Sequence, residues 1–275
     1  MLKSGRAEGL PYSLSRWTDV PISKWSWLKV QLAQKWMWAG DPRTAIISPW
    51  SLAPEDTLGL IFWTKNPTNL LQDADLFREY SWVVHITLTG WTEVEKGAPN
   101  LEQGVDLIKR SVEAFGPERV TWRFSPVPAT ADAVERFGMI ARPLAHAGLK
   151  HVYAAFLQTN DLMEETRDKT TRQEILRLMS QQEPSLEVRL CSEDRTLDGM
   201  PPCLNLSYGV CEDGSRFLPG LVKEDCGCAL SVDPFTINET CSAGCSYCYA
   251  ADRSLSPKKR NTTKAYNNGP PSKSC

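Results

Sequence analysis

Three cysteines close to the end of the chain have the spacing of a metal-binding loop. Cys241, Cys245 and Cys248 lie in the segment ETCSAGCSYCYA and form the pattern C-x3-C-x2-C. Three thiolates at these intervals can bind one face of a 4Fe-4S cluster and leave the fourth iron without a protein ligand. An open iron of this kind can bind the amino and carboxylate groups of S-adenosylmethionine (SAM), and the reduced cluster can then break a carbon-sulfur bond. The spacing therefore predicts a 4Fe-4S cluster with one open iron, at which SAM could bind.

The other cysteines raise two further hypotheses about metal binding. All 9 cysteines of the chain lie after residue 190, and such clustering in a chain without a signal peptide favours metal binding over disulfides. Cys226 and Cys228 could join the C-x2-C pair of the loop in a four-thiolate zinc site, an alternative that leaves Cys241 unexplained. A second iron-sulfur cluster, bound wholly by protein, is the other hypothesis. Its ligands would be Cys191, Cys211, Cys226 and Cys228.

The elements that must position the cysteine loop follow an alternating pattern. Six short apolar runs have the length and composition of β-strands. They are Tyr12–Leu14, Leu58–Trp63, Trp82–Leu88, Arg119–Phe124, His151–Leu157 and Leu186–Leu190. Apolar residues at helical spacing follow three of these runs. The stripe after the first run includes Trp25, Leu28, Leu32 and Trp36, and the stripes after the third and fourth runs extend from Leu101 to Phe115 and from Val134 to Leu144. This pattern predicts an α/β fold, a partial (open) TIM-type barrel of about six parallel βα units with a C-terminal cysteine-rich cluster loop.

Polar residues gather where the predicted strands end. Functional groups of a parallel barrel lie at the carboxyl ends of its strands. The residues there are Ser15, Arg16, Thr18, Asp19, Thr64, Lys65, Asn66, Thr87, Thr89, Arg123, Ser125, Ser192, Glu193 and Asp194. The catalytic candidates are Arg16, Asp19, Lys65 and Arg123. We assign Lys65 and Arg123 to an anionic group of SAM or substrate, and Asn66 and Thr89 to neutral hydrogen bonds with the cofactor.

The cysteine loop resembles the signature of the radical-SAM superfamily, in which an aromatic residue, here Tyr247, precedes the last cysteine. The string GCSYCYA is similar to the branch that contains spore photoproduct lyase. Further similarity lies in IFWTKNP (61–67), ITLTG (86–90) and RVTWRFSPVP (119–128). The resemblance implies a 5'-deoxyadenosyl radical that takes a hydrogen atom from a substrate. It also implies a reductant such as flavodoxin or ferredoxin, and a cofactor contact by Tyr247.

The position of the loop departs from that superfamily. The cysteine loop commonly follows the first strand, whereas here it follows the last. The arrangement resembles an uncharacterised domain family with a radical-SAM-like cysteine cluster at its C-terminal end, whose members share segments like SLSRWTDVP (13–21), WTKNP (63–67) and DCGCALSVD (225–233). Because a barrel brings its first and last strands together, the loop is expected at the barrel mouth. The glycine-rich acidic segment that many members use near the SAM amino group has no clear counterpart.

Composition sets the predicted organisation of the chain. We expect a flexible N-terminus (1–10), the partial barrel (11–200), a cysteine-rich iron-sulfur segment that completes the mouth (201–250), and a basic, disordered tail (251–275). The tail holds six Lys or Arg residues against Asp252 alone, so nucleic acid is a weakly supported partner. No stretch of the sequence reads as a signal peptide or a membrane span, and we therefore expect a cytoplasmic protein. The alternative function is an iron-sulfur or zinc protein that binds a partner or senses redox state.

Overall fold

The computed structural model describes residues 11–14, 18–40, 47–127, 131–156, 169–190, 209–210, 216–217, 221–223, 231–234, 241–248 and 265–267. In chain order the strands and helices are β1 (Tyr12–Leu14), α1 (Val20–Ser23), α2 (Trp25–Gln34), β2 (Trp36–Gly40), β3 (Ile47–Ser51), β4 (Leu60–Thr64), α3 (Thr68–Gln72), β5 (Trp82–Thr87), α4 (Leu101–Phe115), β6 (Val120–Val127), α5 (Ala131–His146), β7 (His151–Phe156), α6 (Lys169–Gln182), β8 (Glu187–Leu190), β9 (Gly209–Val210), β10 (Arg216–Phe217), β11 (Leu221–Lys223), β12 (Asp233–Pro234) and β13 (Ala265–Asn267). Two short 3-10 helices lie at Pro54–Asp56 and Ala74–Phe77.

The main sheet has six parallel strands in the order β1-β4-β5-β6-β7-β8. Each of the six predicted apolar runs contributes one of these strands, so the predicted α/β fold with a parallel sheet is confirmed. From β4 onward every strand pairs with the next strand of the sheet along the chain, as expected of an open, partial barrel. All carboxyl ends therefore lie at one edge of the sheet, where the polar residues were predicted to meet.

The two faces of the sheet differ in composition. One face packs on α4, α5 and α6 and forms the main hydrophobic core, which contains Ile86, Trp122 and Val152 from the strands. The opposite face carries a small separate apolar cluster of Ile61 and Val83, with Trp63 packed against it. Strands of a parallel sheet are usually apolar on both faces because helices or other strands cover them. The second face is the more polar of the two, and its residues Ile61, His85 and Tyr153 are each about as buried as the core, at 1% exposed.

The predicted helices form with one correction. Helix α4 begins at a capping box, in which Asn100 and Gln103 exchange side-chain and backbone hydrogen bonds. The stripe that ran from Trp25 to Trp36 predicted too long a helix, since α2 ends at Gln34. Lys35 has a φ of 59°, the left-handed conformation that terminates helices, and Trp36 begins β2 with 40% of its surface exposed. Among the described residues, no helix is long and apolar enough to span a membrane.

Smaller sheets involve the C-terminal part of the chain. β2 pairs antiparallel with β3, and β12 adds to the other edge of β2. Two further antiparallel pairs are β9 with β10 and β11 with β13. β13 lies within the predicted basic tail, and the other residues of that tail lie outside the described part of the chain. The prediction of a disordered tail therefore stays a prediction, as does that of a flexible segment at 1–10.

Candidate functional site

The chain returns to the edge of β1 shortly before the cysteine loop. Val232 forms a parallel bridge with Tyr12. The Ser13 N–H donates to the Val232 carbonyl oxygen at 2.8 Å, and the Val232 N–H donates to the Pro11 carbonyl oxygen at 2.9 Å. Because this pairing is parallel, the chain leaves Val232 in the direction of the carboxyl ends of the strands. The segment 241–248, which we call the cluster loop, begins nine residues later.

The cluster loop makes backbone hydrogen bonds with the loop that follows β5. The Ser246 N–H donates to the Val94 carbonyl oxygen at 2.9 Å, the Gly97 N–H donates to the Ala243 carbonyl oxygen at 3.0 Å, and Glu95 and Cys245 form an antiparallel bridge. Residues 94–97 thus pair with the cluster loop through one isolated bridge and two backbone hydrogen bonds. Main-chain pairing of this kind fixes the path of a loop that contains little regular structure of its own.

Gly97 allows the two loops to approach each other. A Cβ atom on residue 97 would lie 2.2 Å from the Ser242 carbonyl oxygen and 3.0 Å from backbone atoms of Ala243. Backbone atoms cannot move aside as the end of a flexible side chain can. Within the cluster loop, Gly244 has a φ of +60°, a conformation that other residues rarely adopt. Both glycines are therefore required by the geometry at the cysteines.

The first cysteine contacts the segment that follows β1. The backbone N–H of Asp19 donates to the Cys241 sulfur at 3.4 Å, and the Ser23 hydroxyl donates to the same sulfur at 3.9 Å. Ser23 also accepts a hydrogen bond from the Ser242 N–H at 3.0 Å. Hydrogen bonds to cysteine sulfur are one of the means by which proteins set the potential of iron-sulfur clusters.

Asp19 joins the ends of two neighbouring strands through its carboxylate. One oxygen accepts from the Ile22 N–H at 3.1 Å and caps α1, and the other accepts from the Lys65 N–H at 2.7 Å. Burial raises the pKa of this carboxyl to about 6, although hydrogen bonds from Lys65, Thr64 and Ile22 lower it. The predicted catalytic candidate therefore lies beside Cys241, with its carboxylate engaged in holding the backbone.

Lys65, Glu95 and Tyr247 form a largely buried polar network between the cluster loop and the end of β4. The Lys65 Nζ lies 2.9 Å from a Glu95 carboxylate oxygen and 3.1 Å from the Tyr247 hydroxyl, and 5.8 Å from the centroid of the Tyr247 ring. The Tyr247 hydroxyl donates a short hydrogen bond to Glu95. The Lys65 and Glu95 side chains are 11% and 3% exposed. Burial raises the pKa of Tyr247 above its ordinary value, and the nearby negative charge of Glu95 raises it further. The phenol therefore remains protonated.

The chemistry of the donor set suits an iron-sulfur cluster. Cys241, Cys245 and Cys248 are free thiols, each partly exposed, on a loop of eight residues. Burial raises the pKa of the Cys245 thiol to about 11, with Glu95 adding to the rise and Lys65 opposing it. The metal-free thiol is thus protonated at neutral pH, and metal binding must release that proton.

The described residues do not form a site for a single metal ion. No three His, Cys, Asp or Glu side chains among them stand close enough together to hold one ion. Each thiolate of a cluster loop binds a different iron, so cluster binding does not require the sulfurs to converge on one point. The zinc alternative needs Cys226 and Cys228, which lie outside the described residues, as do Cys191 and Cys211 of the hypothetical second cluster.

Arg123 lies on the polar face of the sheet. The strand register aligns Thr87, Arg123, Tyr153 and Arg189 in one row across β5 to β8. The Arg123 guanidinium lies 5.2 Å from the Trp63 ring centroid, and Trp63 stacks on His85 at 4.4 Å. Arg123 therefore lies beside an aromatic pair on this face of the sheet.

Two predicted cofactor contacts make hydrogen bonds within the protein. The Asn66 side-chain oxygen accepts from the Thr68 N–H at 3.0 Å, where α3 starts. Thr89 is 1% exposed and its hydroxyl accepts from the Trp91 N–H at 3.2 Å. Their roles toward a cofactor stay predictions. Ser15, Arg16, Ser192, Glu193 and Asp194 lie outside the described residues.

Sequence reasoning missed Glu95. The residue lies beyond the end of β5, in the run TEVEKG, where Glu93, Glu95 and Lys96 look like an ordinary solvated loop. Glu93 and Lys96 are exposed, whereas Glu95 is buried. The spacing of charges in this run gives no signal that separates the two acids.

Comparison with known proteins gives one match. The family described as "Domain of unknown function (DUF1848)" matches residues 12–250, which include the whole parallel sheet and the cluster loop. No curated protein and no solved structure is significantly similar to the chain. The match agrees with the predicted membership of an uncharacterised domain family, and similarity to the spore photoproduct lyase branch stays a prediction.

Proposed function

The chain belongs to the DUF1848 family, and from the arrangement of its cluster loop we propose that it is a radical-SAM enzyme. In this proposal Cys241, Cys245 and Cys248 hold a 4Fe-4S cluster, and the enzyme cleaves SAM reductively to act on a substrate. When bound, the cluster and SAM supply one-electron chemistry that generates a 5'-deoxyadenosyl radical. A flavodoxin or ferredoxin would provide the electron.

One observation carries the proposal: three free thiols in C-x3-C-x2-C spacing lie at the carboxyl ends of a six-stranded parallel sheet. Cys241 contacts the segment after β1, and Cys245 bridges to the loop after β5. The cluster loop therefore extends across the ends of β1, β4 and β5. This edge of a parallel α/β sheet is where ligands of such folds bind.

The surrounding residues have separate tasks in this proposal. Asp19 and Ser23 donate hydrogen bonds to the Cys241 sulfur. Lys65 already faces the Glu95 carboxylate, so we assign it to the support of the loop in preference to an anionic ligand. The polar sheet face, with Arg123 held against Trp63, is the proposed contact surface for the substrate. A guanidinium on such a face favours an anionic group of SAM or substrate.

The test is anaerobic reconstitution of the full chain, followed by iron and sulfide analysis and a 5'-deoxyadenosine assay with SAM and dithionite. The proposal expects about four iron and four sulfide per chain for one cluster, and release of 5'-deoxyadenosine. A cluster that forms without SAM cleavage would favour a redox-sensing protein. Bound zinc without sulfide would refute the cluster.

A further inference from the structure

Glu95 is a buried carboxylate whose contacts join three parts of the chain. It is 3% exposed, accepts from the Tyr247 hydroxyl, and lies 2.9 Å from the Lys65 ammonium at the end of β4. Its own backbone bridges to Cys245. A buried carboxylate is costly unless it is paired and hydrogen-bonded, and both of these partners lie at the cluster loop or beneath it.

We propose that Glu95 is a positioning residue, which holds the cluster loop on the sheet before any metal binds and fixes the orientation of Tyr247. The identity of the cofactor in this inference rests on the proposed function. The docking of the loop does not, because every contact that carries it joins protein atoms to protein atoms.

The connectivity explains why such a device is needed. A cysteine loop that directly follows a strand of the sheet is held in place by the strand itself. Here the nearest described residue of the main core, Val232, precedes Cys241 by nine positions, so the loop depends on non-covalent contacts. The two backbone hydrogen bonds from Ser246 and Gly97 fix the path of the loop alongside residues 94–97. Glu95 adds a buried polar contact between these two hydrogen bonds.

The position of Tyr247 links this contact to the ligands. Tyr247 immediately precedes Cys248 and is two residues from Cys245, so a change in its side-chain contact displaces the backbone that carries both thiols. Lys65 neutralises Glu95 and also donates to the Tyr247 hydroxyl, at 3.1 Å. The three groups therefore favour one orientation of the tyrosine.

The experiment measures amide hydrogen exchange in the full-length, metal-free protein. The variants are Glu95→Gln and Tyr247→Phe, and the second keeps the ion pair between Lys65 and Glu95. Glu93→Gln is the matched control, because it removes an exposed carboxylate from the same loop. We expect the Gly97 and Ser246 amides to exchange at least tenfold faster in both variants and at the wild-type rate in the control, with amides of β5 unchanged in all three.

Two further readouts separate positioning from general stability. The double variant Glu95→Gln/Tyr247→Phe is expected to exchange less fast than the two single effects combined, since both changes act on the hydrogen bond between Tyr247 and Glu95. After reconstitution, both single variants are expected to shift the electron paramagnetic resonance spectrum of the reduced cluster. The control Glu93→Gln is expected to give the wild-type spectrum. If Glu95→Gln fails to fold, Tyr247→Phe provides the same comparison.

Wild-type exchange at Gly97 and Ser246 in Tyr247→Phe, or an unshifted spectrum with full iron content, would overturn the positioning role. Failure of the proposed function would give a different combination of results. In that case the exchange pattern is as expected, but reconstituted wild-type protein holds no iron and sulfide.

Discussion

Replacement of Gly97 by alanine tests the docking of the cluster loop most directly. The added Cβ would lie 2.2 Å from the Ser242 carbonyl oxygen, whereas non-bonded heavy atoms prefer about 3.5 Å. The two backbones must therefore separate by roughly 1.3 Å, because neither contact partner is a flexible side chain. A hydrogen bond of 3.0 Å between Gly97 and Ala243 and one of 2.9 Å between Val94 and Ser246 cannot survive that separation.

Each lost hydrogen bond costs about 0.5–1.5 kcal/mol, so the docked state loses about 1–3 kcal/mol. This difference lowers the ratio of docked to undocked loop by a factor of about 5–150. The β-sheet and its helices lie outside the affected contacts. We therefore expect Gly97→Ala to keep the melting temperature of the wild type to within a few degrees and to lose bound iron during gel filtration after reconstitution.

The assay compares the exchange rate of the Ser246 amide and the iron content in three proteins. Gly138→Ala is the matched control, because its Cβ would meet the end of the flexible Gln182 side chain, at 2.7 Å. That control is expected to behave as the wild type. If Gly97→Ala retained iron and slow exchange at Ser246, the cluster loop would not be docked as described, and the account of the site would be wrong.

Three further predictions concern the cysteines and the polar face. Cys245→Ala should abolish 5'-deoxyadenosine formation while the fold survives by circular dichroism, since two thiolates are too few to retain the SAM-binding cluster; activity at the wild-type rate would refute the cluster. Arg123→Ala should leave iron content near normal and lower the turnover of SAM, whereas a sharp fall in melting temperature with unchanged specific activity would assign Arg123 to packing. A variant with Cys241, Cys245 and Cys248 all changed to alanine should bind about four iron and four sulfide if the second cluster exists, and a folded protein without iron would eliminate it.

The parallel sheet was predictable because its signal is local. The run HVYAAF is β-branched and aromatic, lies between two helical patterns, and forms β7 over His151–Phe156 as expected. The hairpin of β2 and β3 escaped prediction because Trp36 continues the helical stripe of Leu28 and Leu32. The end of that helix depends on the left-handed conformation of Lys35, for which a lysine gives no sequence signal.

The site was predictable only in part, since its contacts join residues far apart in the chain. Spacing identified the three cysteines, and position at a strand end identified Asp19 and Lys65. The partner of Lys65 could not be found in this way, because Glu95 lies in a loop 30 residues later and one of its contacts, Tyr247, is 152 residues further on. Lys65 was assigned to an anionic ligand because the sequence did not reveal its ion pair with Glu95.

The direction of the chain at β1 explains how a cluster loop can come from the opposite end of the sequence. A loop at the carboxyl end of β1 can be supplied by β1 itself or by any segment that runs parallel to it along the open edge of the sheet. Val232 runs parallel beside Tyr12, and the cluster loop then contacts Asp19 and Ser23, which lie in the segment between β1 and α2. The second source lacks the covalent link to the strand, and it therefore requires added contacts. Gly97, Glu95 and Lys65 provide these contacts on the side of β4 and β5. A loop continuous with β1 would be held by the strand itself and would not require them.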